Sequence, residues 1–322
     1  MPAATDHHSR ADVVVVGHDS RETLRSCVEP LAGAEGVRIV VVDTASPDDA
    51  FDTVADLPSV ATVAAPRNGG FSYGCNLGAA LGSAPLVLFL NPDASLRPID
   101  LDALVAVLDA DADAGVAAPR IVGSDGSTEP SQRRFPRIRA QLATALFVHR
   151  LAPHASWSDD LIRDPAAYER PGSPDWVSGA CMLVRRDVFT RLGGFDEGFF
   201  LYSEDIDLCR RVRDVGLDVR YVPAARATHA GGHSAPRSSL RVVDVRSRVR
   251  YELVHGGAGR ARAMALAVAL SEFTHLIVRL PRRGYARGHL SGLAAALSAA
   301  AAPRRAARLA ATAPWAEPDG AT

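Results

Sequence analysis

The chain has 322 residues, 47% hydrophobic and 23% charged, enough for one large domain or two smaller ones with a packed core. All 36 basic residues are arginine, and against 37 acidic residues they leave a formal net charge of -1, which excludes a global electrostatic pull toward nucleic acid. The charge is uneven: residues 1–234 carry 22 Arg and 32 acids, residues 235–322 carry 14 Arg and 5 acids. That pattern fits an acidic body with a basic tail drawn to an anionic surface, or solvated helix faces rich in arginine.

The four cysteines, Cys27, Cys75, Cys181 and Cys209, form no C-x-x-C pair and have no close His partner, which argues against zinc and redox motifs and for a reducing compartment. The opening MPAATDHHSRAD lacks the apolar core of a signal peptide and is read as a disordered tail, 1–11. The longest apolar run, 263–278, is interrupted by Glu272 and His275, so no membrane-spanning segment is expected.

From Asp12 the runs Val13–Val16, Val37–Asp43, Val60–Ala65 and Leu86–Leu90 read as buried strands, with helices over 21–31, capped by Ser20, and 71–81. This is the start of a doubly wound, mostly parallel α/β sheet. After 115–118 turn-rich sequence containing Asp125-Gly126 predicts a hairpin and a mixed extension. Helical character returns at 137–150, a strand at 176–184, a helix at 203–215 closed by Gly216, and a strand at 217–222. Leu208, Val212 and Val215 would form the core stripe of the 203–215 helix. Beyond Pro236 the chain reads as helices over 242–254 and 263–280, punctuated by Gly256-Gly257 and Pro281, with loose order from Pro303.

In such sheets ligands bind beyond the carboxyl ends of the strands. The first strand runs into Gly17-His18-Asp19, the second ends on Asp43, and the fourth leads into Asn91-Pro92-Asp93. Carboxylates there suit a nucleoside contact or a divalent cation, and neither a dinucleotide nor a P-loop glycine motif follows the first strand. Gly70, Gly74 and Gly78 form a side-chain-free stripe, for close approach of a donor or for packing on the sheet. The segment 193–213 crowds Glu204, Asp205 and Asp207 at a helix start behind Phe195, Phe199, Phe200 and Tyr202. Macrodipole complementarity and an Asp207–Arg211 pair explain its charge order, and an apolar wall would raise a carboxylate toward the range of a general base. A rival lies in Gly70-Phe71-Ser72-Tyr73-Gly74, a formal G-x-S-x-G followed by Asp205 and His229 in hydrolase order. A catalytically silent ligand-binding or membrane module is a third reading.

VVDTASPDD (41–49), RNGGFSYGCNLG (67–78), FLNPD (89–93), WVSGACMLVRRDVF (176–189), GGFDEGFFLYSEDIDLCRRV (193–212) and HAGGHS (229–234) resemble, in this order, the family 2 glycosyltransferases of GT-A fold. The likeness is greatest to their bacterial rhamnosyltransferase-like branch. It covers roughly 12–234 and implies a catalytic domain over 12–235 followed by a basic helical region, 236–322. The resemblance makes Asp43 the base-reading acid and sets Asn68, Gly69, Asn76, Asn91 and Asp93 around the nucleotide sugar. It makes Asp93 and His229 ligands of Mg2+ or Mn2+, with His233 competing, and Asp205 the catalytic base beside Glu204. Trp176 and Gly179 fall on the acceptor side. Two departures stand out: Asp19 replaces a usual Asn, and Asn91 replaces the first Asp of D-x-D.

The implied reaction is inverting transfer of L-rhamnose from dTDP-rhamnose, or of galactofuranose or another activated sugar, to a glycan or polyprenyl-linked acceptor in cell-envelope synthesis. The implied setting is cytoplasmic, on the inner face of the plasma membrane. There 263–278, flanked by Arg260, Arg262, Arg279, Arg282 and Arg283, would meet the anionic surface, or the helices would pack on the body or form a dimer.

Overall fold

The computed structural model describes residues 9–151, 155–231, 237–279 and 283–313. Strand β1 (Ala11–Gly17) starts one residue before the expected domain boundary, because the Arg10 and Ala11 N–H groups both donate to the Gly36 carbonyl. It is followed by α1 (Leu24–Val28), β2 (Val37–Asp43), β3 (Val60–Ala64), α2 (Gly70–Ala80), β4 (Leu86–Leu90) and β5 (Ala94–Leu96). Next come α3 (Pro98–Ala110), β6 (Ala114–Gly123), β7 (Gln132–Arg133), α4 (Ile138–Ala145) and α5 (Val148–Leu151). The remainder holds β8 (Trp176–Val177), β9 (Cys181–Arg185), α6 (Arg186–Arg191), α7 (Glu204–Asp214), β10 (Asp218–His229), α8 (Arg237–Arg279), α9 (Arg283–Ala301) and α10 (Pro303–Leu309).

Eight strands form one sheet in the order β3-β2-β1-β4-β9-β6-β10-β5. Strands β1 to β4 run parallel to one another, and the expected mixed extension is supplied by β9, antiparallel to both β4 and β6, and by the antiparallel β10–β5 edge. Valine and leucine on both faces of β1, β2 and β4 fill a core on each side of the sheet. Those continuous apolar runs therefore mark strands covered twice.

Several expectations are corrected. Helix α1 is a short piece of the 21–31 segment, and Ser20 serves it through its backbone carbonyl, which accepts from Thr23 and Leu24, while its hydroxyl has no partner. The 176–184 strand is broken at Ser178-Gly179-Ala180 into β8 and β9, which belong to different sheets. The 137–150 helix divides into α4 and α5. Strand β10 extends beyond Val222 to His229. Val215 is 46% exposed, so the stripe of α7 is Leu208 and Val212 with Ile206 and Cys209. The Asp125-Gly126 turn is present, with Gly126 at φ 79° and a Val122–Thr128 bridge across it.

The C-terminal region is helical, α8 bending at Gly257 (φ 79°, ψ 177°) where a break was expected. Residues 303–313 are packed rather than loose: α10 buries Ala306 and Ala307, and the Phe200 N–H donates to the Ala310 carbonyl; residues 314–322 lie outside the described residues. Residues 1–8, His233, Pro281 and Arg282 lie outside the described residues. Against expectation, one helix, 238–278, is long and apolar enough to cross a membrane by length and composition, although 44% of its apolar window is buried in the fold.

Candidate active site

The strand order reverses about β1, which has β2 on one side and β4 on the other, and the crevice beyond their carboxyl ends gathers the first group of residues. Asp43, opposite Gly17 in register, accepts from the Ser46 N–H at 3.1 Å through Oδ2. Its Oδ1 is buried with no partner, and burial raises its pKa. An unanswered buried acceptor is costly, so this oxygen suits an N–H donor from a ligand. The loops after β1 and β2 each hold a non-glycine residue in left-handed backbone, Asp19 (φ 51°) and Ala45 (φ 53°), and Ser46 Oγ, accepting from the Asp19 N–H at 2.9 Å, ties them together.

The glycine-rich element is more structural than expected. Asn68 Oδ1 accepts from the Gly70 N–H at 3.1 Å to open α2, and its Nδ2 lies 3.4 Å from His18 Nε2. A side chain on Gly69 would strike the Tyr73 ring, and on Gly74 or Gly78 the valines of β1 and β2, so the stripe serves packing. Asn76, expected beside the nucleotide, uses its amide on protein. Its Nδ2 donates to the Phe195 carbonyl (2.9 Å) and Glu197 (3.1 Å), and its Oδ1 accepts from the Phe195 N–H (2.9 Å). It anchors the GGFDE loop. Asn91 pins β4 to the break before β9 through its N–H, which donates to the Ala180 carbonyl.

Asp93 precedes β5 and His229 ends β10, paired with Ala94. This antiparallel pairing brings His229 Nε2 to 3.4 Å from Asp93 Oδ1, and Nδ1 to 3.4 Å from Glu129. The Asp93 carboxylate, then Glu129, raises the imidazole's pKa against the effect of burial. Glu129 carried no signal in the sequence. Among the described residues no three His, Cys, Asp or Glu side chains group as a metal site.

Glu204 and Asp205 open α7. Tyr202 and Ser203, just before them, both hold φ 68°, two consecutive strained non-glycine residues that aim the helix start. Glu204 is buried, its Oε2 has no partner, and burial followed by the neighbouring Asp205 charge holds its pKa well above the ordinary carboxylate range. Burial also raises Asp205, but N–H groups of Gly179 (3.0 Å) and Ile206 (2.8 Å), together with the Arg133 charge, oppose that shift. Two adjacent carboxyl groups thus differ in environment: Glu204 is pushed well toward its neutral form, whereas Asp205, though also raised, keeps two N–H donors and a nearby cation that favour its charged form. Asp207, buried, takes the expected Arg211 pair at 2.7 Å and also His255 from α8 at 2.8 Å, a contact invisible to local spacing.

Helix α8 braces this segment elsewhere too. Arg250 pairs with Asp196 at 2.6 Å and lies over Phe199, and Ser247 donates to the Leu201 carbonyl at 2.8 Å. The expected aromatic wall divides: Phe195 and Phe199 join the core that includes Ile206, where Phe195 meets Phe71, Phe89 and Phe189 edge-on, whereas Phe200 packs with Val243 and Ala313 and Tyr202 is 36% exposed. Trp176, expected on the acceptor side, is buried, its Nε1–H donating to the Arg134 carbonyl at 2.8 Å, with Arg133 over its ring. Gly179 serves Asp205 directly.

Ser72 lies inside α2, buried, rather than on a strand-to-helix elbow, which removes the hydrolase geometry. A cavity of about 270 Å3 between α7 and α8, lined by Phe135, Arg210, Tyr251, Glu252, His255 and Arg260 among others, contains none of the expected site residues.

The model of glycosyl transferase family 2 matches residues 12–193, and that of glycosyl transferase family group 2 matches 140–249. An N-acetylglucosaminyl-diphospho-decaprenol L-rhamnosyltransferase of Mycobacterium tuberculosis is 32% identical over 267 residues, covering 77% of this chain and 86% of its own. Rhamnosyltransferase WbbL of Escherichia coli is 51% identical over 59 residues, 18% of this chain and 22% of its own. Among solved structures, GalNAc-T7 with UDP, GalNAc and Mn2+ superposes with TM-score 0.58 at 15% identity, over 92% of this chain and 57% of that one. A mannosyltransferase from Pyrobaculum calidifontis with GDP-Man and Mn2+ gives 0.54 at 14%, over 92% and 88%.

Proposed function

Because this chain belongs to glycosyltransferase family 2 and is a glycosyltransferase of GT-A fold, we propose that it transfers L-rhamnose from dTDP-rhamnose to a lipid-linked acceptor with inversion. The observation that carries the chemistry is the Glu204–Asp205 pair, in which the carboxylate held by the Gly179 and Ile206 N–H groups is the one able to act as a base. The donor and acceptor classes take their support from the mycobacterial relative.

Asp43 Oδ1 accepts an N–H of the nucleobase. Asp93 and His229 would hold the divalent cation, Mg2+ or Mn2+, since a carboxylate oxygen and an imidazole nitrogen on adjoining strand ends are suitable donors. When bound, the cation neutralises charge on the departing nucleoside diphosphate. Asp205 removes the proton from the acceptor hydroxyl. The hydroxyl oxygen bonds to the anomeric carbon while the bond to the diphosphate oxygen breaks on the opposite face. A single base and no covalent intermediate predict inversion.

The catalytic domain ends near 235 and the helices after it brace the base-bearing loop. Their outer face carries Leu266, Leu270, Phe273 and Ile277 at helical spacing, whereas Glu272 and His275, which interrupt the run in sequence, make contacts within the fold. That arrangement supports a peripheral seat on the inner face of the plasma membrane.

The test is transfer of radiolabelled rhamnose from dTDP-rhamnose to a short-chain N-acetylglucosaminyl diphospholipid by the purified protein, with Mg2+, Mn2+ or chelator. A cation-dependent product of opposite anomeric configuration is expected. Transfer from UDP-galactofuranose instead would replace the donor, and transfer insensitive to chelator would remove the cation.

A further inference from the structure

Arg133 stands in β7 directly opposite Trp176 of β8, its guanidinium carbon 5.1 Å from the indole centroid. Other arginines of residues 120–163 pair with carboxylates: Arg120 with Glu169, Arg137 with Asp160 and Arg163 with Asp159. Arg133 does not. Its Nε is buried without a hydrogen-bond partner, and among the described residues no carboxylate forms an ion pair with it. Burial depresses its pKa, and the nearby Asp205 charge only partly compensates. Arg248, whose charge also reaches Arg133, adds positive potential to this corner.

A half-buried guanidinium with a buried, unpartnered Nε and no carboxylate to pair with gains when a ligand brings an anion. Stacking on Trp176 fixes the plane of the fork, the geometry in which arginine takes two phosphate oxygens at once. Trp176, which Arg133 faces, stands three residues before Gly179, whose N–H donates to Asp205 at 3.0 Å, so one short segment links this guanidinium to the carboxylate proposed to meet the acceptor hydroxyl. We propose that Arg133 binds the diphosphate of the acceptor, so that the enzyme selects sugars carried on a diphosphate over neutral glycosides. This rests on the lipid-linked acceptor reading and assigns the residue that would enforce it.

Calorimetry on the full chain, with its donor site first filled by dTDP and Mg2+, would measure binding of farnesyl diphosphate and of farnesol. Wild type should prefer the diphosphate, Arg133→Met should weaken that preference about tenfold or more, and Arg133→Lys should restore part of it. Unchanged dTDP affinity and melting temperature establish that the variants fold. Equal binding of farnesyl diphosphate by wild type and Arg133→Met, or no preference over farnesol in wild type, would overturn the inference.

Kinetics supply the second arm. Arg133→Met should raise KM for a diphosphate-linked acceptor while leaving kcat within a few-fold. Equal kcat loss on that acceptor and on a neutral alkyl glycoside would show that Arg133 acts only through Asp205, which also overturns it. Arg133-dependent diphosphate binding without any rhamnose transfer would keep this inference and remove the donor reading.

Discussion

The backbone N–H of Gly179 donates a 3.0 Å hydrogen bond to Oδ2 of Asp205, and a methyl group on Gly179 would stand 3.3 Å from the Asp205 Cβ. Glycine here permits close approach of the β8–β9 break to the start of α7. Gly179→Ala meets no unusual backbone angle, so its effect falls on the carboxylate it crowds. Displacing a reacting group by a fraction of an ångström to an ångström costs roughly 10- to 100-fold in rate. Gly179→Ala should lower kcat by about that factor with donor KM unchanged, and full activity in steady-state kinetics would detach Gly179 from the base.

The neighbouring carboxyl groups predict unequal variants. Burial and the Asp205 charge push Glu204 toward its neutral form, so Glu204→Gln, which mimics the neutral acid, should retain rate within several-fold. Asp205→Asn removes the base and should lower kcat by about 10²- to 10⁴-fold while donor affinity persists. The base must be charged, and burial raises its pKa, so kcat/KM should fall as pH is lowered through that raised value. Arg133→Met, which withdraws a charge favouring the carboxylate, should move this acid limb to higher pH. A limb that does not move would separate Arg133 electrostatically from Asp205.

Period and strand ends made much of this legible. Runs of valine and leucine located β1 to β4, and the acids after them located Asp43 and Asp93, because a parallel sheet presents its carboxyl ends together. What escaped was long-range. The Asn76 amide engages a loop 119 residues away, and His255 reaches Asp207 across 48, so neither partnership has a local periodicity to reveal it. Trp176 to Val184 read as one strand because its apolar composition conceals the Ser178-Gly179-Ala180 break, whose role is to feed an N–H to Asp205. Arginine pairing was equally hidden: sequence displays Gln132, Arg133 and Arg134 alike, and only three-dimensional neighbours distinguish them.

Asp207 offers a stability test independent of chemistry. It is buried and joins Arg211 on its own helix to His255 of α8. Asp207→Ala leaves both partners without their carboxylate and should lower the unfolding free energy by roughly 3–5 kcal/mol, read from urea denaturation. A loss under about 1 kcal/mol would mean that α8 is held by other contacts, Arg250–Asp196 foremost.

Membrane seating requires a variant that spares the fold. Truncation after Pro236 removes Ser247, Arg250 and His255, which brace the loop carrying Glu204 and Asp205, so the remaining chain should aggregate or lose activity whether or not lipid is present. Phe273 and Ile277 are about half exposed. Phe273→Ser with Ile277→Ser should therefore keep the melting temperature and transfer to a water-soluble acceptor while weakening co-sedimentation with phosphatidylglycerol vesicles. Burial of apolar surface of this size contributes on the order of 1 kcal/mol per side chain, so about a thirtyfold loss is expected from the pair. Salt separates the two forces. Arginine-driven attachment weakens as ionic strength rises, whereas the apolar stripe does not. Binding abolished by salt yet untouched by the double variant would assign the contact to the basic residues alone. If wild type ignores vesicles altogether, the stripe is available to another protein surface and the peripheral-membrane reading falls.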